Sequence, residues 1–467
     1  MSGQPSGHFC EHWILHLPHD TIYMTYYEGI NMADFKDGKA ILAGLIVCGA
    51  VLGVVAGKMN HKGAETAAPV VSSEAAPEDN GQTAESQTIA LVSERGTGIT
   101  VTKSSDWAEQ FPNQYETYMM NSENDEIVDY IEQNPYIKTL YNGYGFAIEY
   151  GSARGHTYVV DDVTSTGRPH KLANCFTCKT SDMTALALNE GDAAYAMNFE
   201  DVETMITDPF GCFHCHQNEP GVLYVTHTYL ADALGEDINK VDPANLSCGQ
   251  CHSEYYFKTD ETHATTFAYN GLDTMNPDDI LAYYNNMKDE DGNAYADWVQ
   301  EDTGIRMLKV QHPEFETFLG AGSPHASNMT CADCHMGTVT AEDGTTFTNH
   351  NWISPLDSQE MLDNTCSKCH GDLAAEVAAI QKETTDRENE IGYALEEMNH
   401  NLAAAVAEGT RSEEDLNAVR EAARTAQFYW DFVYVENSEG VHNPTLTKEC
   451  LDKAQQYLDE ANSLLAK

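Results

Sequence analysis

Basic side chains are scarce in this chain. Lys and Arg number 25 against 74 Asp and Glu, a formal charge of −49 over 467 residues. Such a surface repels polyanions, which excludes nucleic acid and an anionic membrane face as partners. Long apolar runs are equally few. Only residues 40–56, AILAGLIVCGAVLGVVA, continue far without charge, so a multi-span channel is excluded. Strand-period alternation is sparse, with Thr157-Tyr158-Val159-Val160 the one short candidate. Wholesale disorder is excluded in turn, because 42% of the residues are hydrophobic and can bury a core. A site for an anion on this protein must be a local positive exception.

Lys36 and Lys39 precede the apolar run and Lys58 and Lys62 follow it, so positive charge leaves its orientation ambiguous. The run is short for a membrane span and slightly long for a signal core. A cleaved export signal starting at Met32 and an uncleaved anchor over 40–57 both stand. Residues 1–39 form an N-terminal segment of uncertain status. Their His8, Cys10, His12, His16 and His19 suit either a metal-binding tract or an unstructured tail. Residues 58–105 read as a flexible acidic linker, with no Lys or Arg between Lys62 and Arg95. The folded body is expected over 106–467, exported to the periplasmic or extracytoplasmic face of the membrane.

Cysteine carries the chemistry. Ten of the 13 fall in five C-x-x-C pairs: Cys175/Cys178, Cys212/Cys215, Cys248/Cys251, Cys331/Cys334 and Cys366/Cys369. His216, His252, His335 and His370 directly follow the last four pairs. That is the signature of c-type haem attachment. Two thiols add across two vinyl groups, and the adjacent imidazole reaches the iron. Zinc ribbons need no histidine at that place. Pairs two residues apart make a poor disulfide scaffold.

The first pair is followed by Lys179. Either it is a non-haem pair, or it binds a haem whose iron is held by a neutral lysine amine, since an ammonium has no lone pair to give. A relay haem needs a second imidazole on its other side. Ten further histidines lie past residue 100 and four are needed, so counting does not choose among them.

Further segments accompany the pairs: Arg154-Gly155-His156 and Arg168 before the first; Cys251-His252-Ser253-Glu254-Tyr255-Tyr256-Phe257 around the third; Lys309-Val310-Gln311-His312-Pro313-Glu314 between the third and fourth; and Gly440-Val441-His442 near the end. With Lys179, this order resembles the ammonia-forming cytochrome c nitrite reductases, the pentahaem cytochrome c552 family, over about residues 107–467. The resemblance implies five covalent haem c groups and a calcium ion. It makes Lys179 the proximal ligand of the catalytic haem, with Arg168, Tyr255 and His312 on its open face. It gives the calcium Glu254, the Tyr255 and Lys309 carbonyls and the Gln311 side chain. His350, His156, His442 and His325 become the distal ligands of the second to fifth haems. Nitrite as substrate, a homodimer and a membrane quinol-oxidising multihaem cytochrome as donor follow from the same likeness.

The residue types suit those roles. Arg can bind oxygen at two points and keeps its charge. Histidine and tyrosine can pass protons. Carboxylate and amide oxygens suit a hard cation. Taken singly, Arg168 before Pro169 could be a loop residue, and Gln311-His312-Pro313-Glu314 a helix start. Over 373–466, Leu373, Val377, Ile380, Ile391, Leu395, Met398 and Leu402 repeat at helical spacing. Ser412-Glu413-Glu414-Asp415 reads as a helix start. The expected architecture is a mainly α multihaem cytochrome c fold, with long C-terminal helices, few short strands and a core filled largely by porphyrin. Two other functions stay open on the residues alone. One is a multihaem electron carrier without catalysis; the other is a related reductase of hydroxylamine, sulfite or another small substrate.

Overall fold

The computed structural model describes residues 91–467 apart from positions 170 and 290. The segment 1–39, the apolar run and most of the linker lie outside the described residues. Among the described residues, no helix is long and apolar enough to cross a membrane.

Three long helices close the chain: α1 (Leu373–Glu408), α2 (Glu413–Tyr434) and α3 (Pro444–Leu465). Each starts on a side chain that accepts from a first-turn amide. Asp372 accepts from Ala375, Ser412 from Asp415 and Asn443 from Leu446. These side chains satisfy amides that the helix itself leaves without partners. α1 ends on Gly409, whose φ of 64° suits glycine. Val377, Ile391, Leu395, Met398 and Leu402 of the expected stripe are buried, while Leu373 and Ile380 are half-buried. The stripe meets α2 and α3 around Trp430, which is fully buried and donates its indole N–H to the Glu388 carbonyl at 2.9 Å.

Among the described residues, the rest is short helical turns and four two-stranded ladders. β1 (Leu91–Val92) lies parallel to β2 (Tyr224–Val225); β3 (Tyr255–Phe257) pairs antiparallel with β4 (Thr265–Phe267), Tyr255 opposite Phe267. β5 (Trp298–Val299) and β6 (Arg306–Met307), then β7 (Thr338–Thr340) and β8 (Thr346–Thr348), form antiparallel ladders. The β5–β6 ladder delivers the chain to Lys309–His312, and the helix Glu314–Leu319 carries it onward.

Two expectations about the elements need correcting. Thr157-Tyr158-Val159-Val160 is helical, within the turn His156–Tyr158 and the helix Val159–Ser165. Asp161 and Asp162 in the first turn favour helix there, and the β-branched pair is too short to resist. The linker also ends earlier than composition suggests. Ser93 N–H donates to the Val225 carbonyl (2.9 Å), Ile99 N–H to Asn189 Oδ1 (2.9 Å), and Ser104 is buried. Residues 91–105 therefore pack on the body.

Candidate active site and haem attachment sites

In C-x-x-C-H the three reactive side chains sit at i, i+3 and i+4, which one helical turn brings to one face. The chain adopts such turns. His216 N–H donates to the Cys212 carbonyl (2.9 Å), His252 N–H to Cys248 (2.9 Å) and His370 N–H to Cys366 (3.0 Å). Cys331–His335 is helical, with Thr330 and Asp333 capping each other. At the first pair Lys179 N–H donates to the Phe176 carbonyl at 3.0 Å. All described cysteines are free, so both thiols of every pair are available for thioethers.

Cys369 is exposed, whereas the other nine cysteines of the pairs are half-buried. The reason is its place in the chain. Cys369 ends the short turn Cys366–Lys368, and Ser367, Lys368 and Gly371 around it are exposed as well. A lysine head and a bare glycine backbone keep to water, and the chain leaves directly for α1 instead of folding back over the thiol. The polypeptide turn that carries the fifth pair therefore lies at the surface of the chain. Cys369 keeps the reach that attachment needs, because its own N–H donates to the Cys366 carbonyl at 3.1 Å and holds the two cysteines on one turn.

The histidines proposed from opposite parts of the chain meet in pairs. Ring centres are 6.1 Å apart for His156 and His252, 6.1 Å for His335 and His442, and 6.0 Å for His325 and His370. The charge on His216 is felt at His350. Two metal–imidazole bonds of about 2.0–2.1 Å, plus about 1.1 Å from each nitrogen to its ring centre, span roughly 6.2 Å. The gaps therefore fit one iron between two rings.

Several of these rings are fixed through Nδ1, which turns Nε2 toward the gap. His216 donates to the Val222 carbonyl (2.8 Å), His335 to Ile353 (2.9 Å) and His350 to Thr348 (2.9 Å). His442 meets Glu436 Oε1 at 2.6 Å and His370 meets Glu376 Oε2 at 2.8 Å. Holding one nitrogen fixes the tautomer that leaves the other free for metal. Burial and the neighbouring His252 and His214 press His156 down to about 3, so its imidazole is neutral. Two glycines allow the approach. A Cβ at Gly155 would lie 1.8 Å from the Asn121 carbonyl oxygen, and one at Gly440 (φ 91°) 2.5 Å from Thr384 Oγ1.

Thiols of different pairs also adjoin. Cys178 Sγ, Cys251 Sγ and a His227 ring nitrogen lie within 4.8 Å of one another. Cys331 lowers the Cys248 thiol by hydrogen bonding, while Cys248 adds to the rise at Cys215 and Cys366 to that at Cys334. The attachment sites thus run first, third, fourth, fifth, with the second beside the third.

Around Lys179 the sequence-derived residues share one neighbourhood. Hydrogen bonding from Cys251 outweighs burial at Cys178, and with Lys179, Tyr229 and His312 it holds the thiol down at about 6. Tyr255 feels Cys178, Tyr144, Cys175 and Glu254, and burial pushes its phenol well up. The Arg168 guanidinium, lowered by burial, faces Tyr150, Tyr144, Glu149 and Tyr255. It donates to the Glu149 carbonyl from Nε (3.1 Å) and Nη2 (2.9 Å) and lies 3.8 Å over the Phe146 ring. His312 is partly open to solvent, with Nδ1 3.9 Å from Glu314 Oε1.

Beside them lies an oxygen-rich pocket. Glu254 is 1% exposed; it accepts from Tyr284 OH (2.7 Å) and from the Gln311 N–H (2.6 Å). Gln311 Nε2 reaches the Lys309 carbonyl at 3.2 Å. Burial, with Asp297 adding to it, pushes the Glu254 carboxyl up to about 8. A divalent cation would keep both carboxylates ionised, so the donor set fits calcium. Sequence reading missed Asp297 here, along with Asp431 and Glu436. Each arrives from an element distant in sequence, and no spacing announces it.

Free thiols paired with opposed imidazoles on a mainly helical frame define a multihaem cytochrome of the c type. The cytochrome c552 family model matches residues 103–467. Cytochrome c nitrite reductase subunit NrfA of Nitratidesulfovibrio vulgaris is 32% identical, the match covering 76% of each chain. Cytochrome c-552 of Aliarcobacter butzleri is 30% identical over 78% of this chain and 77% of its own. The solved cytochrome c nitrite reductase of Desulfovibrio desulfuricans ATCC 27774, a catalytic subunit with two calcium sites, superposes with a TM-score of 0.71. It is 32% identical, over 79% of this chain and 87% of that one. The chain belongs to the cytochrome c552 family, the ammonia-forming cytochrome c nitrite reductases.

Proposed function

We propose that nitrite is reduced to ammonium at the first attachment site, with Lys179 as the axial ligand that distinguishes it. What supports this reading is that Tyr255 and His312 act electrostatically on the pair Cys175/Cys178 and Arg168 on Tyr255, while the residue after that pair is the one lysine among four histidines. When bound, haem c supplies single electrons and an open iron position. Arg168 draws the anion in and holds an oxygen, at a point where the overall charge opposes entry. His312 and Tyr255 hand protons to oxygen and nitrogen as electrons arrive. Glu254, the Tyr255 and Lys309 carbonyls and the Gln311 side chain hold calcium, whose charge adds to that of Arg168.

The other four sites carry electrons between paired imidazoles: His216 with His350, His252 with His156, His335 with His442, and His370 with His325. A membrane quinol-oxidising multihaem cytochrome feeds them. The enzyme works in the periplasm, tethered by residues 40–56 or released from them. α1 presents Tyr393, 52% exposed, which suits pairing of two copies.

The test is nitrite loss against ammonium gain with a reduced dye. Stoichiometric ammonium is expected. Arg168→Ala and His312→Ala should each cut turnover by about 100-fold or more, the usual cost of losing a charge-stabilising group, with five haems still attached. Redox cycling without turnover, or mass analysis with no haem at Cys175/Cys178, would overturn the reading.

A further inference from the structure

The groups that hold the proposed ligand imidazoles are not alike. At the second site both Nδ1–H groups meet neutral backbone carbonyls, Val222 for His216 (2.8 Å) and Thr348 for His350 (2.9 Å). At the fourth, His335 meets the Ile353 carbonyl (2.9 Å), but His442 meets the Glu436 carboxylate at 2.6 Å. At the fifth, His370 meets the Glu376 carboxylate at 2.8 Å. Glu436 is 4% exposed and locked in place. Ser438 Oγ donates to its other oxygen at 2.5 Å and in turn accepts the His442 backbone N–H at 2.9 Å.

We propose that Glu436 and Glu376 set a potential step inside the molecule, holding the fourth and fifth haems harder to reduce than the second. The claim rests on the ligand reading above. A carboxylate on Nδ1–H gives the ring imidazolate character and makes it a stronger donor to iron, which favours the ferric state. At the fourth site the buried negative charge of Glu436 disfavours an added electron in the same sense. Backbone carbonyls do neither to the same degree. Reduction adds one electron at the site, makes or breaks no bond, and leaves the proton on Nδ1. The electron comes from the donor of the nitrite reaction, or from dithionite in the test. The second site therefore fills before the fourth and fifth. The fourth and fifth stay oxidised until the supply is strongly reducing, and once filled they pass electrons on readily.

Glu436→Gln and Glu376→Gln keep an acceptor oxygen and remove the charge. In the five-haem protein, spectroelectrochemical titration should show each variant raising the midpoint of one haem, a different one in each. The expected size is on the order of tenfold in the reduced-to-oxidised ratio at fixed potential, about 59 mV for one electron. The Glu376 side chain is 51% exposed, so its substitution leaves the packing intact. Midpoints that stay put or fall in both variants, with five low-spin or substrate-accessible haems retained, overturn the proposal. His442→Ala separates the premise: it should abolish one bis-imidazole low-spin signal. If that signal survives, the ligand reading fails and this inference falls with it.

Discussion

At the scale of single residues, the segment before His312 is held by acids that come from three separate parts of the chain. Lys309 N–H donates to Asp297 Oδ2 (2.8 Å), Val310 N–H to Asp431 Oδ2 (2.9 Å) and Gln311 N–H to Glu254 Oε2 (2.6 Å). Asp431 also takes the buried Lys309 ammonium, 3.1 Å from each oxygen, and the Tyr141 hydroxyl. Removing one partner of such a buried pair leaves the other charge uncompensated, which costs about 3–5 kcal/mol. Asp431→Asn should lower stability to urea by that order, whereas Lys309→Met with Asp431→Leu should recover most of the loss. An unchanged unfolding midpoint in the single variant would refute the clamp. The site was legible in part. Thioether chemistry fixes the spacing of the five pairs, so the pairs and Lys179 stand out in the sequence. Spacing says nothing of depth, however, and the exposure of Cys369 is set by which elements cover its turn. Asp431 lies 122 residues from Lys309 and sits inside an ordinary helical stretch, so nothing local marks it.

At the scale of elements, the long helices were readable because their caps and apolar stripe repeat at one period. The short strands were not, because ladders of two or three residues are set by what packs on them. Residues 91–105 show the same limit, for their composition is that of a linker and their partners are remote. Asp192 fastens this stretch, its two oxygens 2.9 Å from Arg95 Nη2 and 2.9 Å from Lys258 Nζ, which follows β3. Burial would raise the Asp192 carboxyl, but Lys258 and Arg95 outweigh it and hold it below the ordinary carboxylate range. The sign follows. The tie is fully present above the unfolded value near 4 and is lost as pH falls through the lower folded value. Limited proteolysis within 93–103 should stay slow at neutral pH and quicken below about pH 4, while Asp192→Asn should be nicked readily at neutral pH. Equal rates for the two proteins at pH 7 would show that Asp192 does not hold the strand.

At the scale of the whole molecule, a charge of −49 and an anionic substrate pull against each other. The surface field lowers nitrite concentration near the protein, and only close to a positive group such as the Arg168 guanidinium does the local field turn favourable. The two fields differ in range. Repulsion is summed over many exposed carboxylates and acts from afar, so salt weakens it once the Debye length falls to about 10 Å at 0.1 M. The attraction acts over a few ångströms at the half-buried Arg168 guanidinium, a distance well inside the Debye length, where screening is slight. Raising salt from about 0.01 to 0.2 M should therefore increase kcat/KM for nitrite several-fold and leave kcat nearly unchanged, since chemistry inside the pocket is not what the salt reaches. Hydroxylamine, neutral at pH 7, provides the control. Its kcat/KM should be flat over the same range, because a neutral molecule does not feel the surface charge. A nitrite rate that falls with salt would mean that a positive funnel extends well beyond Arg168 and dominates the approach.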